Sequence, residues 1–177
     1  IAAVHNSKAA DATKLALELL ILTALRSGEI RNACWEEFEL ESRPSSPHPI
    51  WCIPADRMKA KREHIVPLSN RALAILEAAK RLSDGTGLVF PGTRPGKTLS
   101  DMTLSKLVKE LGYDADVHGF RTSFKTWAQE QTDFENEVSE MALAHMIRNK
   151  AEAAYARSNY LEKRKTMMED WSLYLCN

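Results

Sequence analysis

The sequence predicts a mainly α-helical domain with a small antiparallel β-sheet, an α+β fold. Apolar residues recur at helical spacing in most segments after residue 11, and nearly everything after Val117 favours helix. One pair of short strand-like runs is separated by a charged turn, which favours a single hairpin. The 177 residues are enough for one domain with its own hydrophobic core.

The first quarter of the chain predicts one long helix followed by shorter elements. We expect residues 1–10 to be a linker or a fragment boundary, ahead of one domain at 11–177. Asp11 is a candidate helix cap, and Ser27 and Gly28 end or bend that helix. The predicted elements are a helix from Asp11 to about Leu25, a helical turn at 29–33, a short strand at 35–40 and a proline- and serine-rich loop at 42–49.

A β-hairpin with a basic tip comes next. The runs Ile50–Pro54 and His64–Leu68 favour strands, and the segment Arg57–Arg62 lies between them. Ser69 and Ser100 are then predicted to cap two helices that reach about Leu82 and Leu111. The remaining predicted helices are 118–130, 136–146, 149–158 and 160–175.

Composition excludes several classes of protein. No apolar run approaches the roughly 18 residues of a membrane span, since the most apolar stretch, Leu15–Leu25, is short and contains Glu18. Cys34, Cys52 and Cys176 are far apart and form no C-x-x-C motif. This spacing argues against a disulfide framework and a zinc site, and favours a reducing, cytoplasmic location without a membrane partner.

The charges of the chain sum to zero but are unevenly distributed. Ten of the 24 basic residues lie at 57–62 and 148–165, whereas ten of the 24 acidic residues lie at 29–41 and 130–140. A neutral total is therefore compatible with one basic and one acidic face, although nucleic-acid-binding domains are often clearly basic. Solvated helix charges explain the C-terminal basic stretch equally well.

One segment resembles a phosphate-binding loop without matching it. The nucleotide cradle requires G-x-x-x-x-G-K-[ST], but only three residues separate Gly92 from Gly96 before Lys97 and Thr98. Pro95 also removes a backbone N–H that such a cradle would use. We therefore expect no bound nucleotide.

Four other segments hold residue types suited to phosphate chemistry. They are L-R-S-G-E with Arg26, the hairpin tip with Lys59, H-G-F-R with His118 and Arg121, and L-A-H with His145, followed ten residues later by Tyr155 in A-A-Y. Each alone has an ordinary structural explanation, such as a basic residue at a helix end or a packed histidine. Their occurrence together, in this order, is much harder to explain as coincidence.

This ordered set resembles the tyrosine recombinases, most closely the phage and genomic-island integrases. The resemblance runs from about Lys14 to Leu175 and includes I-V-P-L-S after the hairpin tip and a C-terminal Met167-Met168-x-x-Trp171-x-x-Tyr174-Leu175. It implies the catalytic domain of an enzyme that integrates or excises a mobile element such as a prophage. It also implies double-stranded DNA attachment sites as partners, a homotetramer on DNA joined through the C-terminal helix, and no cofactor or metal. The N-terminal DNA-binding domains of integrases are not recognisable in this sequence.

The resemblance also assigns roles. A tyrosine hydroxyl can attack phosphorus and keep the phosphate as a covalent 3′-phosphotyrosyl intermediate. Guanidinium groups match phosphate oxygens, and catalysis of this kind depends on positioning and electrostatics. The implied roles are phosphate binding for Arg26, Arg121 and His145, proton donation to the 5′ oxygen for Lys59, proton transfer with the tyrosine for His118, nucleophilic attack for Tyr155, and a structural role at the Arg26 turn for Glu29.

Two assignments and the function itself keep alternatives. Lys61 competes with Lys59, which is preferred for its offset from the V-P-L motif, and Tyr160 competes with Tyr155, which is preferred for its spacing from His145. A type IB topoisomerase-like relaxation activity and a non-catalytic DNA-binding integrase remnant are the alternative functions. Three aromatic residues are expected in the core, not as base-stacking platforms: Phe120, Phe124 and Trp127.

Overall fold

The structure, a computed structural model, describes residues 1–41, 47–94, 96–145 and 160–176. It confirms the predicted fold class, because the described residues form mainly helices together with one three-stranded antiparallel sheet. The helices are α1 Ala2–Asn6, α2 Asp11–Thr23, α3 Ser27–Arg31, α4 Asn70–Lys80, α5 Thr103–Glu110, α6 Gly119–Glu130, α7 Asn136–Ala142 and α8 Leu161–Cys176. The strands are β1 Phe38–Glu39, β2 Ile50–Ile53 and β3 His64–Pro67.

The predicted hairpin is formed by β2 and β3. Trp51 pairs with Val66 and Ile53 with His64, so the basic tip lies beyond the last pair. The predicted strand at 35–40 is mostly wrong, because Trp35–Glu37 is a 3₁₀ turn and only two residues join the sheet as β1. The Glu37 carboxylate accepts the Cys34 N–H at 3.3 Å, and this local bond closes a turn where a strand would stay extended.

Helix α2 lies at the centre of the first hydrophobic core. Its residues from Ala16 to Leu22 are all buried, and it packs against α4 and α5. A helix that is apolar on all sides is expected in such a central position. Val4 of α1 is buried in the same core, so the first ten residues contribute to it. No helix in the described parts of the chain is long and apolar enough to cross a membrane.

Helices α6, α7 and α8 form a second core rich in aromatic rings. The ring centroids of Phe124 and Trp127 lie 5.5 and 5.0 Å from that of Trp171. Trp171 also donates its indole N–H to the Ile21 carbonyl at 2.9 Å, which fastens α8 to α2. The predicted core positions of Phe124 and Trp127 are confirmed, since both are buried.

The two cores meet where α2 ends. The helix stops at Thr23, two residues before the predicted end, because Ala24 adopts the left-handed conformation with φ 50°. Ala24 packs into the second core, whereas Leu25 packs into the first. Arg26, the first residue of the predicted phosphate site, follows this junction directly.

Candidate active site

Arg26 lies at the turn between α2 and α3 and is held there by Glu29. The Arg26 backbone N–H donates to Glu29 Oε2 at 2.8 Å, and Nη1 of its side chain donates to Oε1 at 3.1 Å. Glu29 is buried, while the Arg26 side chain keeps 29% of its surface exposed. The predicted structural role of Glu29 is therefore confirmed, and its carboxylate directs a guanidinium group that solvent can still reach.

Arg121, in the first turn of α6, is buried between backbone carbonyls of two distant segments. Its Nη1 donates to the Ala24 carbonyl at 2.5 Å, and its Nη2 donates to the Leu143 carbonyl at 2.7 Å. Burial and, to a smaller extent, the charge of Arg26 lower the pKa of Arg121 to about 10, while Glu29 opposes the change. Arg121 therefore stays charged at neutral pH and lies within electrostatic range of Arg26.

Both segments that Arg121 joins contain a left-handed alanine. Ala24 has φ 50° and Ala144 has φ 52°, a conformation that costs an L-residue roughly 1–2 kcal/mol. The carbonyls bound by Arg121 belong to Ala24 itself and to Leu143, the neighbour of Ala144. The hydrogen bonds of one buried guanidinium thus help to stabilise two strained turns beside it.

His145 follows the second of these turns and contacts Arg121 directly. Its Nε2 lies 3.3 Å from Arg121 Nη2, and its Nδ1 lies 2.8 Å from Glu140 Oε2. A neutral imidazole with its hydrogen on Nδ1 satisfies both contacts. Burial raises the pKa of Glu140, but hydrogen bonds from Lys125 and His145 outweigh burial, so the net change is downward. Glu140 is therefore ionised at neutral pH and orients the histidine ring.

The two groups predicted to transfer protons lie on the surface. His118 precedes the first residue of α6, three positions before Arg121, and is exposed. Lys59 is exposed as well and comes directly after Met58, which is 2% exposed and belongs to the first core. The structure thus brings Arg26, Arg121 and His145 together and leaves Lys59 and His118 exposed.

Tyr155 lies outside the described residues. Its competitor Tyr160 is described and is partly buried against the second core. Its ring centroid lies 5.6 Å from Lys163 Nζ, and its carbonyl accepts the Arg164 N–H at 2.8 Å at the start of α8.

His64 is a buried histidine near the site that the sequence did not single out. It begins β3 and is 6% exposed. Burial lowers its pKa, and with the charges of Arg164, Arg121 and Arg26 the value falls to about 3, although a hydrogen bond with the backbone of Ala142 opposes the change. It is therefore a neutral group among three arginines. Alternate residues of a strand face the same side of the sheet, so His64 lies on the same face of β3 as buried Val66. This alternation is the signal in the sequence that could have identified His64 as buried.

The arrangement suits a tetrahedral anion. Arg26 and Arg121 supply two fixed positive charges, and a guanidinium fork matches the oxygens of a phosphate. Within the described ranges, no group of three or more His, Cys, Asp or Glu side chains is placed to hold a metal ion. Electrostatic stabilisation of a phosphate by these side chains is the chemistry that the described residues support best.

Comparison with known proteins identifies relatives of this chain. The model of the phage integrase family matches residues 1–162. The chain is 35% identical to the integrase of Enterobacteria phage P4, over 92% of this chain and 40% of that protein. It is 39% identical to prophage integrase IntA of Escherichia coli, over 86% of this chain and 36% of the relative. The chain thus spans about two fifths of the length of these curated relatives.

Solved structures show the same fold. The XerH site-specific recombinase bound to its difH substrate, in a pre-cleavage complex, superposes with a TM-score of 0.61 at 16% identity. That likeness covers 88% of this chain and 49% of the recombinase. A post-cleavage complex of XerH on a palindromic difH substrate gives a TM-score of 0.58.

Proposed function

Because this chain belongs to the phage integrase family, we propose that it is the DNA-cleaving part of a site-specific recombinase that integrates or excises a mobile element. The observation that carries the proposal is the bridging position of Arg121, which joins the Arg26 turn to the segment that contains His145. Three groups suited to one phosphate are thereby gathered from three separate stretches of sequence.

The phosphate-binding step uses Arg26, Arg121 and His145. The two guanidinium groups bind the non-bridging oxygens of the scissile phosphate and stabilise the charge of the pentacovalent transition state. Two carbonyl bonds and the His145 contact occupy part of the donor set of Arg121, and a guanidinium has five N–H donors in all. Its remaining donors can face the phosphate. His145, oriented by Glu140, would release its contact with Arg121 when a proton is added at Nε2, and would then donate from Nε2 to a phosphate oxygen.

The bond-making step uses Tyr155. Its hydroxyl oxygen attacks phosphorus, and its proton passes to the surroundings with the help of His118. The P–O5′ bond breaks, and the 5′ oxygen takes a proton from Lys59, leaving DNA joined to the protein through a 3′-phosphotyrosine. Strand rejoining is the same sequence reversed, so the reaction needs no external energy source.

The described residues favour Lys59 and Tyr155 over their competitors. Lys61 is in the left-handed region with φ 52°, and its ammonium donates to the Asp56 carbonyl at 3.2 Å within its own loop. Tyr160 is engaged in the second core. Both observations fit structural roles for the competitors.

We further propose double-stranded attachment sites as the substrate and a tetramer on DNA as the working assembly. Helix α8 buries Met167, Met168 and Trp171 in its own chain. Its C-terminal end exposes Leu173 by 54% and Tyr174 by 49%. That end exposes the large apolar side chains of α8, which a neighbouring protomer could bury. Leu173→Glu should therefore weaken tetramers on DNA in sedimentation experiments without unfolding the domain.

Covalent capture tests the function. The purified protein is incubated with a randomised pool of nicked duplexes, in which cleavage releases a short fragment and traps the adduct. We expect a covalent protein–DNA complex with the wild type and with Tyr160→Phe, and none with Tyr155→Phe. Absence of any adduct from the wild type would contradict the proposal and favour a non-catalytic role. Relaxation of supercoiled DNA without strand exchange would favour the topoisomerase-like alternative.

A further inference from the structure

Arg57 departs from the other basic residues of the hairpin tip. It lies two residues before Lys59, yet its side chain is only 18% exposed. Its Nη1 forms an ion pair with Glu37 Oε1, and its Nη2 donates to the Glu29 carbonyl at 2.5 Å. The charge of Arg57 is thus directed into the protein.

The carboxylate that binds Arg57 is itself fixed. Glu37 Oε2 accepts the indole N–H of Trp51 at 2.9 Å and the backbone N–H of Cys34 at 3.3 Å. The Glu37 side chain is 6% exposed, and Trp51, in the central strand of the sheet, is fully buried. A buried, charge-assisted network with these partners holds its members in one geometry.

The other end of the bridge is the turn that holds Arg26. Arg57 binds the main-chain oxygen of Glu29, and the carboxylate of the same residue binds Arg26 twice. Met58 follows Arg57 and is buried in the first core, so Lys59 is the first exposed residue after two anchored ones. A short series of hydrogen bonds therefore connects the backbone next to Lys59 with the turn that holds Arg26.

We propose that Arg57, held by Glu37, is a positioning residue that sets the place of Lys59 relative to Arg26. This inference rests on the proposed function. When the tyrosyl oxygen bonds to phosphorus and the P–O5′ bond breaks, the electron pair moves to the 5′ oxygen, which must receive a proton from Lys59. The proton can be delivered only if the ammonium lies at that oxygen while Arg26 holds the same phosphate.

Substitution of the leaving atom tests the inference. Two nicked duplexes are prepared from the sequence captured above, one normal and one with sulfur in place of the scissile 5′ oxygen. A thiolate leaves without a proton, because a thiol is far more acidic than an alcohol, with a pKa of about 8.5. We expect Arg57→Gln to cleave the oxygen duplex about 10- to 100-fold more slowly than the wild type. It should cleave the sulfur duplex within about threefold of the wild-type rate, the pattern expected of Lys59→Ala.

A matched control is available in another ion pair. Arg71 Nε donates to the fully buried Glu18 carboxylate at 2.7 Å, between α4 and α2. Arg71→Gln should lower the melting temperature and leave the cleavage rates of both duplexes unchanged. Glu37→Gln is the second variant, to be used if Arg57→Gln does not fold. It retains an acceptor for Trp51 while releasing Arg57, and it should reproduce the sulfur rescue.

Two results would overturn the inference. An equal loss on the oxygen and sulfur duplexes would make Arg57 a general structural residue, and an unchanged rate on the oxygen duplex would leave it without a role. In both cases the wild type remains active, so the proposed function stands. A wild type that is inert on both duplexes would overturn the proposed function, and this inference with it.

Discussion

The side chains of the two arginines in the candidate site are hydrogen-bonded to the rest of the fold, whereas the side chains of the lysine and the histidine proposed to move protons are exposed. Arg121 is buried and bonded to two carbonyls, and Arg26 is held twice by one carboxylate. Lys59 and His118 are exposed. We call the first two the phosphate-binding pair and the second two the proton-transfer pair. Under the proposed function, the charges that would meet the phosphate are organised before DNA arrives, while the side chains of the proton-transfer pair would acquire their final surroundings from DNA.

The largest expected effect would come from breaking the bridge made by Arg121. Arg121→Lys cannot reach two carbonyls at once, and each buried carbonyl left unpaired costs about 1–3 kcal/mol. We expect adduct formation to fall by at least about 10²-fold and the free energy of unfolding to fall by about 2–4 kcal/mol, measured by covalent capture and urea denaturation. Arg26→Lys should lose similar activity but less than about 1 kcal/mol of stability, since Arg26 is partly exposed. Equal destabilisation by the two substitutions would contradict this difference.

Removing the proton-transfer pair should affect rate without affecting stability. We expect Lys59→Ala and His118→Gln each to slow cleavage by about 10²-fold, as is typical when a general acid or base is lost. Their free energies of unfolding should stay within about 0.5 kcal/mol of the wild type, because both residues are exposed. Parallel adduct kinetics and chemical denaturation test this. A clear loss of stability in either variant would show that the pair is built into the fold after all.

The buried histidine beside the phosphate-binding pair should make the protein sensitive to acid. The pKa of His64 is about 3 in the folded chain and about 6.5 when unfolded. Between these values the unfolded chain holds a proton that the folded chain does not. The stability that His64 contributes is therefore complete above about pH 6.5 and is lost as the pH falls towards 3. Between pH 7 and pH 4.5 the loss should be about 2–3 kcal/mol.

His64→Gln isolates this contribution, since all other titrating groups remain. Urea denaturation of both proteins at pH 7 and pH 4.5 should give a smaller decrease for the variant. Equal decreases in the two proteins would rule out a buried neutral histidine.

The smallest expected effect concerns the orientation of His145. Glu140→Gln keeps an acceptor near Nδ1 but removes the charge shared with Lys125. We expect adduct formation to slow by about 3- to 10-fold with little change in the free energy of unfolding. Ser139→Ala is a suitable control, because Ser139 also contacts Lys125, at 2.7 Å, without touching the histidine. A loss as large as that of Arg121→Lys would place Glu140 in the chemistry itself.

The parts of the fold that depend on local sequence could be predicted. The hairpin has strand bounds within one residue of those expected, and Ser69 Oγ accepts the Ala72 N–H at 3.3 Å, as predicted for a helix cap. The end of α2 could not be predicted, because Ala24 is left-handed through contacts made 97 residues away by Arg121. Gly28, the expected breaker, instead lies inside α3.

The residue types of the candidate site could be predicted from their order, but their state of burial could not. Arg57 follows the same charge pattern as Lys59 and Lys61, and only the three-dimensional fold distinguishes an internal ion pair with Glu37 from a solvated charge. Arg121 likewise resembles a surface charge on an amphipathic helix, yet it is 4% exposed. Whether such an arginine is buried depends on partners that are distant in the sequence, and these partners cannot be inferred from the local pattern.

The aromatic cluster around Trp171 of α8 gives the protein an intrinsic fluorescence signal. Trp127 and Trp171 are two of four tryptophans, and both are buried in the core that α8 completes. Indole emission shifts to longer wavelength when the ring enters water. Any step in which α8 leaves its own chain, such as exchange of the helix between protomers, would therefore change the colour of the intrinsic fluorescence. If the proposed assembly on DNA includes such a step, it would be visible in real time without a label.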